Sequence, residues 1–203
     1  MARVSTFQTR LGTSLLWRAA PALMAAAVIT FSRNHSPLIG LSVFVGYAIV
    51  AAIIMFVTVA RVPLTGSDRI LFGLHAVVTF TTGVIAVTNL NGGLSALVLV
   101  LSIWAALTAA LELYAGYRHT TRAVSREWLT SGAFTALLAI IVALFPVNDV
   151  YAVGLFGAYG AILGVYLVIA GLSLRSDEPA AVVPRSSASL PQTQTPEERE
   201  TLS

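Results

Sequence analysis

The sequence predicts an all-α membrane protein with six transmembrane helices, arranged as three repeated antiparallel hairpins, and with both termini in the cytoplasm. Two observations support this prediction. Hydrophobic residues make up 57% of the chain and charged residues only 10%, whereas about 25% of a soluble domain is charged. The apolar residues also form six runs, and an arginine closes each successive pair of runs. A recurring unit of this kind indicates one structural element used three times.

Six apolar runs are long enough to cross a bilayer, whose hydrocarbon core needs roughly 20 apolar residues in a helix. We place the spans at about Leu15–Phe31, Leu38–Ala60, Ile70–Thr88, Leu94–Ala115, Trp128–Phe145 and Val150–Leu172. The first span has the weakest signal because Arg18 and Pro21 lie near its start. We expect Arg18 to extend towards the lipid headgroups and Pro21 to occupy a first helical turn. A cleaved signal peptide is the alternative reading of this stretch.

The distribution of arginines predicts the orientation, because the chain contains no lysine. Of the 12 basic residues, only Arg33 lies on the side of the short polar connections at 89–93 and 146–149. The others lie before or near the start of the first span, in the second and fourth connections, and after the last span. Such an excess of basic residues marks the cytoplasmic side of a membrane protein.

The three hairpins share an aromatic marker in their second apolar run. We place the copies at residues 17–61, 69–118 and 126–175. The markers are Tyr47, Trp104 and Tyr159, and each is followed five positions later by a small residue, namely Ala52, Ala109 and Gly164. This correspondence supports an internal repeat.

The two ends of the chain differ from the apolar region between them. Residues 1–16 form an N-terminal leader, for which a short interfacial helix and a disordered segment are both compatible with the sequence. Residues 17–175 form the transmembrane domain. Residues 176–203 are rich in Pro, Ser, Thr, Gln and Glu, a composition that predicts a disordered cytoplasmic tail.

Polar residues inside apolar spans are candidates for function because they are unfavourable in lipid. Within the apolar runs, Glu112 is the only carboxylate and His75 is the only one of the three histidines. In an antiparallel hairpin, Glu112 lies at the level of Arg69, so we expect an ion pair with Arg69 or Arg118, or a contact with His75. We therefore take Glu112, His75 and Arg69 as a candidate intramembrane polar site, either structural or sensitive to protons or ligands.

Glycines in the sixth span indicate close helix packing. Gly157, Gly160 and Gly164 lie on this span, and the last two have the GxxxG spacing that lets helices approach closely. Packing within the chain explains them, and a homodimer interface is the alternative.

The sequence offers no pattern for chemistry. It contains no cysteine, and its three histidines lack the spacing of metal ligands. We find no nucleophile with a base and no phosphate-binding loop, so we expect no catalytic residues, no metal and no cofactor. The arginines lie at the ends of apolar runs and not on one basic face, which argues against nucleic acid as a partner.

The arginine-closed hairpins, their aromatic markers and the run Leu155-Phe-Gly-Ala-Tyr-Gly-Ala-Ile-Leu-Gly164 resemble the HdeD family of bacterial acid-resistance membrane proteins. The segment from Trp104 to Glu112 is similar to the second-copy pattern of that family, although Ala109 replaces the usual Gly. The resemblance implies a non-enzymatic, multi-pass protein of the bacterial plasma (inner) membrane, associated with acid or general stress resistance. Its partners would be the bilayer and either further copies of the chain or another membrane protein. A small transporter or channel, and an assembly subunit, are the alternatives.

Overall fold

The computed structural model describes residues 2–62, 64, 66–118, 122–145 and 148–176, with side chains described within 12–173 except at 122–124. Within these residues the chain forms six α-helices and no strand. The helices are α1 Ala2–Phe31, α2 Pro37–Arg61, α3 Gly66–Thr88, α4 Gly93–Arg118, α5 Arg122–Leu144 and α6 Asp149–Ser176. All six of these described helices are long and apolar enough to cross a membrane. This confirms the prediction of an all-α protein with six helices that can span a membrane.

The six helices form a closed ring, and alternate helices lie closer to its centre. Among the described residues, α1, α3 and α5 each contact only the two neighbouring helices of the ring, whereas α2, α4 and α6 also contact one another. The most extensive contacts join α1 to α6, α4 to α5, and α2 to α3. The tightest packing therefore lies between successive hairpins, and the contact of α1 with α6 closes the ring.

Aromatic rings from the three inner helices fill the centre of the bundle. Phe44 of α2, Trp104 of α4 and Phe156 of α6 are each at most 1% exposed. Trp104 packs edge-on against Phe44 with 5.3 Å between ring centroids, and it lies 5.5 Å from Tyr47 and 5.8 Å from Tyr159 in the same geometry. Edge-to-face pairs of this kind are favoured by the charge distribution of aromatic rings.

Local sequence signals account for several helix ends. Ser36 is extended and precedes Pro37, which suits a first helical position because it has no N–H to leave unpaired. Gly93 has φ of +66°, a conformation that glycine adopts readily, and it turns the chain into α4. At the start of α6, the side chain of Asn148 accepts a hydrogen bond of 2.9 Å from the backbone N–H of Tyr151.

The leader residues are helical. Residues 2–16 are the first half of α1 and continue into the span without a break, and a position of this segment in the membrane interface stays a prediction. Pro21 consequently lies in the interior of α1 and not in a first turn. A proline is tolerated there because neighbouring helices stabilise the interrupted backbone. Apart from Ser176, the predicted tail lies outside the described residues.

Candidate functional site: a buried charged cluster

The most unusual feature of the bundle is a buried carboxylate. Glu112 of α4 is 2% exposed, and it lies about 9 Å before the end of this helix at Arg118, by the rise of an α-helix. A buried charge is strongly unfavourable unless partners compensate it. The neighbours of Glu112 on the surrounding helices therefore decide what the site can do.

Arg18 of α1 is the charged partner of Glu112. Its Nη2 donates a hydrogen bond of 3.2 Å to Oε1 of Glu112, and the Arg18 side chain is only 10% exposed. The guanidinium also lies over the ring of Trp128, 5.7 Å from its centroid, in a cation–π contact. Trp128 in turn packs edge-on against Phe72 of α3. Arg18 is therefore held inside the bundle by charge on one side and by an aromatic ring on the other.

Helix α5 contacts the second carboxylate oxygen through a hydroxyl group, and α6 joins this contact through a second hydroxyl. Oγ1 of Thr135 lies 3.1 Å from Oε2 of Glu112 and 3.0 Å from the hydroxyl of Tyr159. The hydrogen of Thr135 can also reach the backbone carbonyl of Ser131 at 2.9 Å. The result is a continuous polar chain from α1 through Glu112 to α6.

His75 of α3 completes the cluster without a hydrogen bond to it. Its Nδ1 is 3.8 Å from Oε1 of Glu112, which is close enough for an electrostatic interaction but too long for a hydrogen bond. Nδ1 of His75 is buried and has no hydrogen-bond partner within the described part of the chain. This polar atom near the carboxylate thus retains unused hydrogen-bonding capacity, which is uncommon in protein interiors.

Trp104 lies deeper in the bundle than this cluster. It lies two helical turns before Glu112 on α4, and its indole N–H donates a bond of 3.3 Å to Oγ1 of Thr79 on α3. Tyr159 belongs both to the central aromatic cluster and to the polar chain, so the polar groups adjoin this cluster on one side. That side is the end of the bundle at which α4 finishes.

The structure brings together two of the three site residues predicted from the sequence. Glu112 and His75 are neighbours, whereas Arg69 is exposed and donates a bond of 3.5 Å to the backbone carbonyl of Val59. Arg118, the other expected partner, contacts Tyr114. The expectation that Arg18 extends to the headgroups is also wrong, because this side chain turns inwards to Glu112. The position of Arg18 inside an apolar span is the sequence signal that could have added it to the predicted polar site.

The predicted packing glycines all face α1. A Cβ atom at Gly157 would lie 2.8 Å from Ile29, one at Gly160 would lie 2.8 Å from the carbonyl oxygen of Ala22, and one at Gly164 would lie 2.6 Å from Leu23. These glycines allow α6 to approach α1 closely, which places Arg18 within reach of the cluster.

The arrangement of Glu112, Arg18 and His75 is suited to proton exchange at the carboxylate. Among the described residues, no three His, Cys, Asp or Glu side chains are grouped as a metal site would require. Addition of a proton to Glu112 would leave the buried Arg18 without its counter-charge, so the stability of the cluster depends on protonation.

No protein-family model, curated protein or solved structure matches the chain. The functional argument therefore rests on these contacts.

Proposed function

We propose that this chain is a non-enzymatic integral membrane protein of acid or general stress resistance, and that the cluster around Glu112 is its acid-responsive element. The observation that supports the proposal is the buried pair of Arg18 and Glu112, next to His75 and its unbonded Nδ1. Ionisable groups buried in a membrane bundle are unfavourable for stability and are typical of functional positions. A relationship to the HdeD family is part of this proposal.

The finer features of the fold belong to the same proposal. We infer three repeated hairpins, and the mutual contacts of Tyr47, Trp104 and Tyr159 support this inference, since equivalent positions of a repeat meet around a common centre. We also infer that both termini are cytoplasmic and that the protein resides in a bacterial inner membrane, as the arginine distribution favours. In that orientation the cluster lies near the cytoplasmic end of the bundle.

The proposed response follows from the partners of Glu112. While the carboxylate is charged, it links α1, α4 and α5 through Arg18 and Thr135. Acidification of the cytoplasm would neutralise the carboxylate, so Arg18 would then occupy a buried site without its counter-charge. Loss of this attraction would separate α1 from α4 at this end of the bundle. Glu127 of α5, which lies within electrostatic range of Arg18, is the remaining acidic group near the site.

The test is survival of acid challenge by bacteria that depend on this protein. We expect Glu112→Gln to reduce survival at low pH while leaving growth at neutral pH unchanged, because the amide cannot exchange a proton. Asp149→Asn is the matched control, since Asp149 is an exposed carboxylate at the start of α6. Equal survival of wild type and Glu112→Gln, at equal protein levels, would contradict the proposal.

The central aromatic packing bears on the alternative of a small transporter or channel. Phe44, Trp104 and Phe156 fill the position at the bundle centre that an axial path would need. Transport sites tend to lie near the middle of the membrane, whereas the charged cluster lies towards one end. An assembly subunit remains the second candidate, because large apolar side chains on the outer faces, such as Val77 and Ile140, are available to a lipid or protein neighbour.

A further inference from the structure

A groove of about 750 Å³ opens between α1 and α2, at the end where α2 finishes. We call it the α1–α2 groove. Its apolar wall includes Trp17, Ile53 and Val57, which are 63%, 54% and 43% exposed. Arg61, the last residue of α2, lines the same groove, and Thr58 lies one turn before it. The described lining of the groove therefore combines an apolar wall with the cation Arg61.

The groove exists because α1 packs unevenly on its two neighbours. The contact of α1 with α6 is far more extensive than its contact with α2, and the glycines of α6 draw α1 towards that side. The interface between α1 and α2 consequently stays open near Trp17 and Val57.

The depth of the lining residues matches the layers of a lipid monolayer. With 25 residues, α2 is about 37 Å long, which exceeds a hydrocarbon core of about 30 Å. Its terminal residue Arg61 therefore lies at the level of the headgroups. Ile53 lies about 12 Å deeper, by helical rise, among the acyl chains.

The charge of Arg61 is not compensated by the described part of the protein. Among these residues, Arg61, Arg33 and Arg126 have neither an ion pair nor a side-chain hydrogen bond, and Arg61 is the one of the three that lines the groove. An anion at headgroup level is the complementary partner, and arginine binds phosphate oxygens well.

We propose that the α1–α2 groove binds an anionic phospholipid of the surrounding bilayer. Its phosphate contacts Arg61, and one acyl chain lies along Val57, Ile53 and Trp17. Such a lipid would fill the open side of α1 and would stabilise the helix that carries Arg18. The volume of the groove is in the range of small-molecule sites, which is sufficient for one acyl chain and part of a headgroup.

The tryptophans of the chain provide a direct assay. Trp104 and Trp128 are 1% and 7% exposed, so quenching by bromine atoms on a lipid acyl chain reports mainly on Trp17. The full chain is reconstituted in phosphatidylcholine vesicles that contain a minor, equal fraction of brominated phosphatidylglycerol or brominated phosphatidylcholine. We expect half-maximal quenching at a roughly fivefold lower mole fraction of the anionic lipid than of phosphatidylcholine. This is about the preference that one arginine confers at an anionic surface.

Two pairs of variants separate a specific site from general attraction. Arg61→Gln should reduce the preference for the anionic lipid to nearly one, while Arg69→Gln, at an exposed arginine outside the groove, should retain it. Val57→Phe narrows the groove and should weaken quenching of Trp17 by both lipids. Val77→Phe, at a similarly exposed valine of α3, should not.

Three results would overturn the proposal. The first is equal quenching by the two lipids in the wild-type protein, and the second is an equal loss of preference in Arg61→Gln and Arg69→Gln. The third is unchanged quenching in Val57→Phe, which would show that no acyl chain occupies the groove. Arg61 and Val57 are both partly exposed and lie on the outer side of the bundle, so each variant is expected to fold.

Discussion

Replacement of Arg18 by methionine tests whether the buried ion pair holds the bundle together. Methionine keeps much of the length and apolar character of the arginine stem but has no charge, so Glu112 would remain buried without a cation. Both side chains of the pair are at most 10% exposed. Loss of one partner from a buried pair costs about 3–5 kcal/mol, because the other charge stays uncompensated.

We expect the lower end of that range for Arg18→Met, about 3 kcal/mol. Polar contacts in membranes contribute less than their burial suggests, since the unfolded chain also finds partners within the bilayer. For a chain of this size, about 1 kcal/mol changes the melting temperature by roughly 2–4 °C. The variant should therefore melt about 6–12 °C below the wild-type protein, as measured by thermal unfolding in detergent.

A double-mutant cycle separates the pair from its surroundings. Glu112→Gln alone should also destabilise the protein, whereas Arg18→Met combined with Glu112→Gln should cost less than the sum of the two single changes. A coupling of about 1–3 kcal/mol is expected for residues in direct contact. Arg69→Met is the control, because Arg69 is exposed. Strictly additive losses, or equal melting of Arg18→Met and Arg69→Met, would refute the reasoning.

Three further predictions concern packing and topology. Gly160→Ala should destabilise the protein by about 1–3 kcal/mol, because the new methyl group would lie 2.8 Å from the carbonyl oxygen of Ala22, whereas Gly154→Ala adds a methyl group with nothing within 4 Å and should be neutral. Trp104→Ala should lose about 3–5 kcal/mol in the same melting assay, and Tyr117→Ala, at a residue that is 87% exposed, should lose almost none. Reporter fusions after Ser67, Thr120 and Ser189 should report the cytoplasm, since these sites lie in the second connection, the fourth connection and the tail. Fusions after Gly92 and Asn148, in the third and fifth connections, should report the outside. A periplasmic tail would contradict the inferred orientation.

The sequence was sufficient to predict the six spans, because each apolar run is long and the polar breaks between them are short. It was also sufficient to bring Glu112 close to His75, since an antiparallel hairpin with a turn near Asn91 places them about one helical turn apart. The bounds of α2, α3 and α4 follow the predicted spans closely for the same reason.

The partner of Glu112 could not be predicted in this way, because it comes from a helix far away in the sequence. Hairpin geometry relates only neighbouring spans, so it indicates Arg69 and Arg118 as ion-pair partners of Glu112. The contact with Arg18 depends on the closure of the ring by α1 and α6, which Gly160 and Gly164 permit. Thr135 had no sequence signal at all, since a threonine in an apolar span commonly bonds to its own helix backbone.

The measurement that tests the central claim most directly is the separation of α1 from α4 as a function of pH. The chain has no cysteine, so spin labels can be attached to two introduced cysteines at exposed sites beside the cluster, in the variant Trp17→Cys with Tyr117→Cys. We predict that the distance between the two labels increases on acidification in the otherwise wild-type chain. It should stay constant when Glu112→Gln is added. A distance that does not depend on pH, or the same change with and without Glu112, would contradict the account.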